Sequence, residues 1–331
     1  GQEDIAKKII RAVGDSEKRF SEDALRLLRA VRLASTLGYE IEPRTKKAIK
    51  EHAGLIDFIA KERIKDELLK VISFTPLKWR EAKEDDQRYS NELKDKEIEQ
   101  SPARAFWLMH ELGLLKHILP ELEEGIGVEQ HLPHHYDVWT HIMRAFTYSV
   151  KENFPVSVRL ATLFHDIAKP RTKEGKGEDS TFYNHQVVGA KMTFQIMERL
   201  RFGRDLIEKV KGLVRWHMFS YEAEVTTDSS VRRLMRNVGL ENFDDLVKLR
   251  LADRVATPVP KAEKYALRHL KARSEILSKD PISVTMLKTD GHKVMNTLKI
   301  EPGPKVGAVL NALLEEVLDD PSKNTEDYLE K

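Results

Sequence analysis

Apolar residues recur along this chain at helical spacing and almost nowhere at strand spacing. Leu27, Leu28, Val31 and Ala34 form one stripe, and Val306, Val309, Leu310, Leu313, Leu314 and Val317 another. Both follow the i, i+3, i+4, i+7 rule of a helix with one buried face. Thr181-Phe182-Tyr183 is a short strand-like run, and no internal repeat stands out. Proline and glycine cut the helical pattern at Gly38, Pro43, Pro76, Pro102, Pro120, Pro133, Pro155, Pro170, Pro258, Pro260, Pro281 and Pro302-Gly303-Pro304. The pattern predicts an all-α fold of about a dozen short helices.

The length, 331 residues, suits two or three domains. The longest run without Asp, Glu, Lys or Arg extends only from Ser180 to Ala190, too short to span a bilayer. Gly1-Gln2-Glu3-Asp4 lacks the apolar core of a signal peptide. There is no cysteine, which removes disulfides, thiolate metal sites and a cysteine nucleophile. Together these features predict a cytoplasmic protein with no membrane partner. Net charge is only +2, from 56 basic and 54 acidic residues, so any nucleic-acid surface must be a local patch. Between Lys78 and Glu99, 14 of 22 residues are charged. That segment reads as a solvated helical excursion or a mobile insertion.

Seven of the twelve histidines fall between residues 126 and 257. His165-Asp166 closes the apolar segment Leu160-Ala161-Thr162-Leu163-Phe164, and Pro170 is expected to end that helix. Adjacent helical residues diverge by about 100°, so the pair can share a metal only if it sits between the two faces. Lys169 overhangs the same spot, and a cation there suits an anionic phosphate. His141 lies on a second helix, Asp137 to Ser149, on the face of Val138, Ile142 and Ala145. Asp253 follows the apolar run Leu246, Val247, Leu249, Leu251, and His185 and His217 lie between. Imidazoles with carboxylates suit a divalent metal such as magnesium, manganese, nickel or cobalt. Any one of these histidines alone is better read as a satisfied core or surface residue. His131, His134 and His135, in a proline-containing loop, are read that way.

The joint pattern resembles the HD superfamily of metal-dependent phosphohydrolases. The resemblance implies His141, His165, Asp166 and Asp253 as the metal set. It implies His185 and His217 as further ligands for a second metal or for phosphate. His165, Asp166 and Lys169 would then carry the catalysis.

Near the start, Ser21 is positioned to cap a helix beginning at Glu22-Asp23. Asp23 and Arg26 are then neighbours, and Arg26, Arg29 and Arg32 share one face. On spacing alone this is a solvated face with a surface salt bridge of little worth. A carboxylate beside a guanidinium fork can also pair with the edge of a base. Glu22-Asp23-Ala24-Leu25-Arg26 resembles the base-selecting motif of class II tRNA nucleotidyltransferases, the CCA-adding and poly(A)-polymerase-like enzymes. Ile10 to Phe20 and Leu28 to Ala34 resemble the family's lead-in to this helix and its continuation, and Lys61 to Leu68 and His110 to Leu115 are similar to its body segments. Val231-Arg232-Arg233-Leu234 and Leu249 to Arg254 fit its bacterial branch with an internal HD domain.

The resemblance implies an all-α multi-helix neck and body, an HD-domain helical bundle and a helical tail. The expected boundaries are 1–62 for the end of the head and the neck, and 63–125 for the body with a charged insertion at about 76–100. They are 126–257 for the HD domain and 258–331 for an RNA-binding tail. Asp23 and Arg26 would select the base, with Glu22 holding Arg26. Arg19 would bind nucleotide, and Arg29 and Arg32 the triphosphate or RNA. Nucleoside triphosphates and tRNA would be the partners of the intact enzyme. Nucleotides or 2′,3′-cyclic phosphoesters would be those of the HD site. The family's catalytic head, with its paired aspartates, is expected to precede Gly1, so this chain alone is not expected to add nucleotides. Two other functions fit the same residues: a free-standing HD phosphohydrolase, and a non-enzymatic RNA-binding module with a structural metal.

Overall fold

The computed structural model describes residues 1–81, 93, 95–130, 136–175, 180–257 and 262–330. Part of the charged segment near 76–100 lies outside them, as do His131, His134 and His135. Among the described residues there are 21 α-helical segments and only two strands of two residues each, so the fold is all-α. The helices outnumber the expected dozen because caps and prolines split long apolar stretches. Leu115–Ile118 and Pro120–Glu123, for example, are separate turns hinged at Leu119. No helix among these residues is long and apolar enough to cross a membrane.

The chain forms two compact units, Gly1–Met218 with Lys248–Pro260, and Phe219–Val247 with Lys261–Lys331. In the first, helix Leu25–Leu37 packs on Lys61–Ile72 and Ala103–Glu111. Its stripe of Leu27, Leu28 and Val31 is fully buried, as are Ile64, Leu68 and Phe106. Each such side chain is worth roughly 1.5–3 kcal/mol relative to exposure. Val138–Lys151 packs on Val156–Phe164, which packs on Arg204–Trp216, and that helix lies along His185–Arg199. Arg159 is buried and donates to the carbonyls of Ile72, Phe74 and Phe154 and to Thr75 Oγ1 and Asn153 Oδ1. It thereby satisfies the end of Lys61–Ile72 from within the histidine-bearing helices.

The second unit is built from Asp228–Val238, Ala262–Leu277, Gly291–Leu298 and Pro304–Asp319. Val231, Met235, Leu270, Leu314, Val317 and Leu318 form its core. Buried Arg232 ties it together, donating to Asp280 Oδ2 and to the Leu318 carbonyl.

Four local expectations are corrected. The arginine helix begins at Leu25, not at Glu22. Ser16–Glu22 is a separate helix capped by Asp15, and Ser21 Oγ donates to the Glu17 carbonyl instead of capping. The helix before His165 ends at Phe164, and Pro170 lies in the first turn of Lys169–Thr172, where its missing N–H costs nothing. Thr181 makes a single bridge with Glu174 and no strand. The two real strands, Ile9–Ile10 and Glu40–Ile41, pair in parallel; two residues carry no periodicity to read.

Candidate metal centre and base-selecting helix

Five helices bring the histidines and aspartates together. Asp137 caps Val138–Lys151, accepting from Thr140 N with Oδ1 and from Gly127 N with Oδ2, and so sets the rotation of His141. His165 and His217 each stand at the C-terminal cap of their helices, and His185 is the first residue of its own. Asn184 precedes His185 with φ of 59°, a left-handed turn that aims the helix start inward.

Three of the four imidazoles are oriented alike. Nδ1 of His165 donates to the Thr162 carbonyl (2.9 Å), of His185 to Phe182 (2.7 Å) and of His217 to Val214 (2.7 Å). For His165 and His217 the acceptors belong to the last turn of a helix, where carbonyls lack intrahelical partners. Because a carbonyl only accepts, Nδ1 carries a proton and Nε2 is the atom turned to the site.

Nε2 of His141 lies 3.2 Å from Nε2 of His165, 3.1 Å from Asp253 Oδ1 and 3.4 Å from Asp166 Oδ2. Nε2 of His165 lies 3.3 Å from Asp166 Oδ2 and 3.7 Å from Asp253 Oδ1. Donors bound to one ion at ~2.0–2.2 Å stand roughly 3–3.5 Å apart at tetrahedral or octahedral angles. Four of these five distances fit that spacing, and the fifth, His165 to Asp253 at 3.7 Å, is slightly longer. Asp166 Oδ1 faces a second group, His185 Nε2 at 3.4 Å and His217 Nε2 at 3.7 Å. These two nitrogens are buried and have no hydrogen-bond partner among the described residues, which suits them to a cation or an anionic ligand.

Charge balance points the same way. Burial disfavours the anionic forms of Asp166 and Asp253. The charges of His165 and Lys169 outweigh it at Asp166, and hydrogen bonds from His141 and His165 with the Arg250 charge do so at Asp253. Both carboxyls are held well below the usual range. Burial also opposes charge on His165, but Asp166 and Asp253 prevail and raise its pKa to about 10. Burial dominates at His141, which is lowered, and at His217, which falls to about 4. The two carboxylates thus hold a proton on His165 where a metal cation could replace it. Lys169 Nζ sits 2.7 Å from Asp166 Oδ2 and 2.6 Å from Gln130 Oε1, above the Phe182 ring.

The sequence motif at Glu22 to Arg26 straddles the break between two helices. Glu22 Oε2 accepts from Arg19 Nη1 (3.0 Å) and Arg26 Nη1 (2.9 Å), and Arg26 also donates to the Arg19 carbonyl. Asp23 pairs with Arg63 Nη2 at 3.1 Å and accepts from Leu25 N, the first N–H of the second helix. Arg32 Nε bonds Glu67 Oε2 at 2.7 Å, and Arg29 lies 3.6 Å from the same carboxylate. Glu67 is buried, and this disfavours its charge, but Lys70 and Arg32 outweigh burial and keep it anionic. Arg29 remains half exposed, whereas Arg32 is mostly covered.

Sequence reasoning missed Arg63, Glu67, Gln130 and Arg250. Glu67 had a signal: it lies on the Ile64–Leu68–Val71 stripe, an acid on an inward face. Arg250 had a weaker one, three residues before Asp253. Gln130 had none, because its partner Lys169 is 39 positions away.

Residues 128–257 match the HD domain family, and residues 38–75 match the family described as the probable RNA and SrmB-binding site of polymerase A. The sequence is 32% identical over 330 residues to an A-adding tRNA nucleotidyltransferase of Deinococcus radiodurans, covering 95% of this chain and 68% of that protein. It is 33% identical over 328 residues to a CC-adding tRNA nucleotidyltransferase of Thermus thermophilus, covering 95% of this chain and 66% of that protein. The backbone is similar to a Bacillus stearothermophilus CCA-adding enzyme solved with CTP. The TM-score is 0.65 at 22% identity, over 99% of this chain and 65% of that one, a likeness of fold. The chain thus spans about two thirds of the length of these relatives.

Proposed function

Since the chain belongs to the class II tRNA nucleotidyltransferases, in the branch with an HD domain, we propose that it serves tRNA 3′-end maturation through two sites. One selects the incoming nucleotide, and the other hydrolyses phosphoesters. The observation that carries the second is the convergence of buried donors, with the rings of His165, His185 and His217 oriented by backbone carbonyls.

His141, His165, Asp166 and Asp253 would hold a divalent ion, with His185 and His217 available to a second ion or to phosphate. Nitrogen and oxygen donors suit nickel, cobalt, manganese or magnesium. When bound, such an ion lowers the pKa of water and polarises a phosphoryl oxygen. The protein's own share is orientation and charge. The carbonyl-bound Nδ1 atoms hold the rings, and Lys169, steadied by Gln130, offers a cation to the phosphate. The substrates are 2′,3′-cyclic phosphates or small nucleotides.

At the other site Asp23 and Arg26 choose the base. Glu22 supports this by fixing Arg26, and Asp23 must share or leave Arg63 to pair with a base edge. Arg19, Arg29 and Arg32 contact triphosphate or RNA, and the helical body and tail hold tRNA by its phosphates. The zones 1–62, 63–125, 126–257 and 258–331 divide this work.

The test is hydrolysis of 2′,3′-cyclic AMP and bis-p-nitrophenyl phosphate by the purified chain with each of the four metals, before and after chelation. Metal-dependent cleavage is expected. Stoichiometric metal without cleavage of either substrate would instead mean a structural site, and no metal uptake would leave a cluster of core histidines.

A further inference from the structure

Asp253 divides its two carboxylate oxygens. Oδ1 faces the cluster, 3.1 Å from His141 Nε2 and 3.7 Å from His165 Nε2. Oδ2 accepts from Arg250 Nη1 at 2.6 Å. Both residues are buried, Arg250 at 8% and Asp253 at 7% exposure. They lie three apart on helix Phe243–Ala256, so the guanidinium and the carboxylate meet on one face. The same Nη1 lies 4.0 Å from Met218 Sδ, next in sequence to His217. Arg250 is therefore seated against two of the chain segments that build the site.

Asp166 is held differently. Its Oδ2 faces His141 and His165, its Oδ1 faces His185 and His217, and its cation, Lys169, falls on Oδ2, an oxygen already turned to the histidines. Only at Asp253 does a cation occupy the oxygen that is turned away from the four-donor cluster.

We propose that Arg250 is a positioning residue for Asp253, engaging Oδ2 so that Oδ1 alone is offered to a cation in the cluster. The proposal rests on the metal reading of the site. A carboxylate without such a partner can rotate and present either oxygen or both. A buried planar guanidinium resists that rotation, because turning the carboxylate would break a 2.6 Å hydrogen bond between two buried charges. The arginine also offsets one of the two carboxylate charges that burial would otherwise make costly. Lysine in its place keeps the charge but not the fixed planar fork.

The test uses cobalt(II) as the probe and the full chain as host. Cobalt affinity and the visible absorption of the bound ion are measured for wild type, Arg250→Gln, Arg250→Lys, Asp253→Asn and the Arg250→Gln/Asp253→Asn double variant. Arg250→Gln is expected to weaken affinity ~10–100-fold and to change the absorption band, since partners of metal ligands commonly matter to that extent. Arg250→Lys should recover part of the affinity. The double variant should bind no worse than Asp253→Asn alone, because one residue acts through the other. If Arg250→Gln keeps wild-type affinity and spectrum while its unfolding midpoint drops, the arginine is only structural and the proposal is overturned. Should Arg250→Gln fail to fold, Arg250→Lys decides: a wild-type spectrum and affinity overturn the proposal, and a changed spectrum supports it. If the wild type takes up no cobalt, the metal reading itself fails and the proposal with it. Uptake that is equal in wild type and variants overturns the proposal alone.

Discussion

Asp166 is the residue on which both halves of the candidate metal centre depend, since its two oxygens face different pairs of histidines. Asp166→Asn keeps the shape and removes the charge. Metal affinity and turnover should both fall by about 10²-fold or more, while the far-UV dichroism stays that of the wild type. A variant that binds metal as the wild type does would show the carboxylate to be dispensable. Titration of the same cluster governs stability without metal. His217 has a pKa near 4 in the folded chain against about 6.5 when unfolded. Across that window the unfolded chain holds the extra proton, so stability rises with pH. His165, raised to about 10, acts in the opposite sense. Its stabilisation is complete below about 6.5 and is lost as pH climbs through 10. The chelated protein should therefore melt at its highest temperature near pH 6.5, lower on both flanks. A bound cation displaces the His165 proton, so the alkaline decline should shrink with manganese present. Thermal midpoints from pH 4 to 10, with and without chelator, decide this; superimposable curves would contradict it.

At the scale of elements, the site depends on how its helices begin and end. His165 and His217 stand at C-terminal caps and donate to carbonyls the helix leaves free, so the same orphan groups that end a helix also aim an imidazole. The N-terminal counterpart is Asp137, which caps the His141 helix and ties down Gly127. Asp137→Ala should cost ~1–2 kcal/mol of stability, the upper range for a lost cap, since two backbone donors lose their acceptor. Urea unfolding measures it, and a change under ~0.5 kcal/mol would show that water replaces the carboxylate. The break between Ser16–Glu22 and Leu25–Leu37 plays a similar part. Because the helix stops at Asp23, that side chain accepts from Leu25 N and reaches Arg63 on Lys61–Ile72, contacts denied to it on one continuous helix.

For the whole molecule, binding of a polyanion such as tRNA must come from local clusters, because the net charge is only +2. The arginines proposed for that task are not equivalent. Arg29 is half exposed and 3.6 Å from Glu67, whereas Arg32 is mostly covered and bonded to it at 2.7 Å. Arg29→Ala should weaken tRNA binding and flatten the salt dependence by up to about one unit of slope, the amount for one phosphate contact. Arg32→Ala should act chiefly on stability, by leaving buried Glu67 with fewer partners. Filter binding from 50 to 200 mM salt, beside melting curves, separates the two. Equal slopes for Arg29→Ala and wild type would make Arg29 a solvated side chain.

The sequence by itself determined the fold class and marked His141, His165, Asp166 and Asp253, which the fold gathers. A 3.6-residue apolar period forces helices to pack whatever their neighbours are, and His141, His165-Asp166 and Asp253 stood on inward faces before any contact was known. The Glu22 to Arg26 motif was likewise legible, because its residues are local. Its geometry was not. Whether Asp23 lies inside a helix or at its cap depends on where Ser16–Glu22 stops, and its partner Arg63 lies 40 positions away. Gln130 on Lys169, Glu67 under Arg32 and Arg159 on the Ile72 carbonyl are likewise pairings across long stretches of chain. Periodicity reports which face of a helix is buried, but a hydrogen bond between distant residues exists only once packing has chosen which buried faces meet. Tertiary structure therefore decided the orientation of the imidazoles, the division of oxygens on each aspartate and the inequality of the arginines.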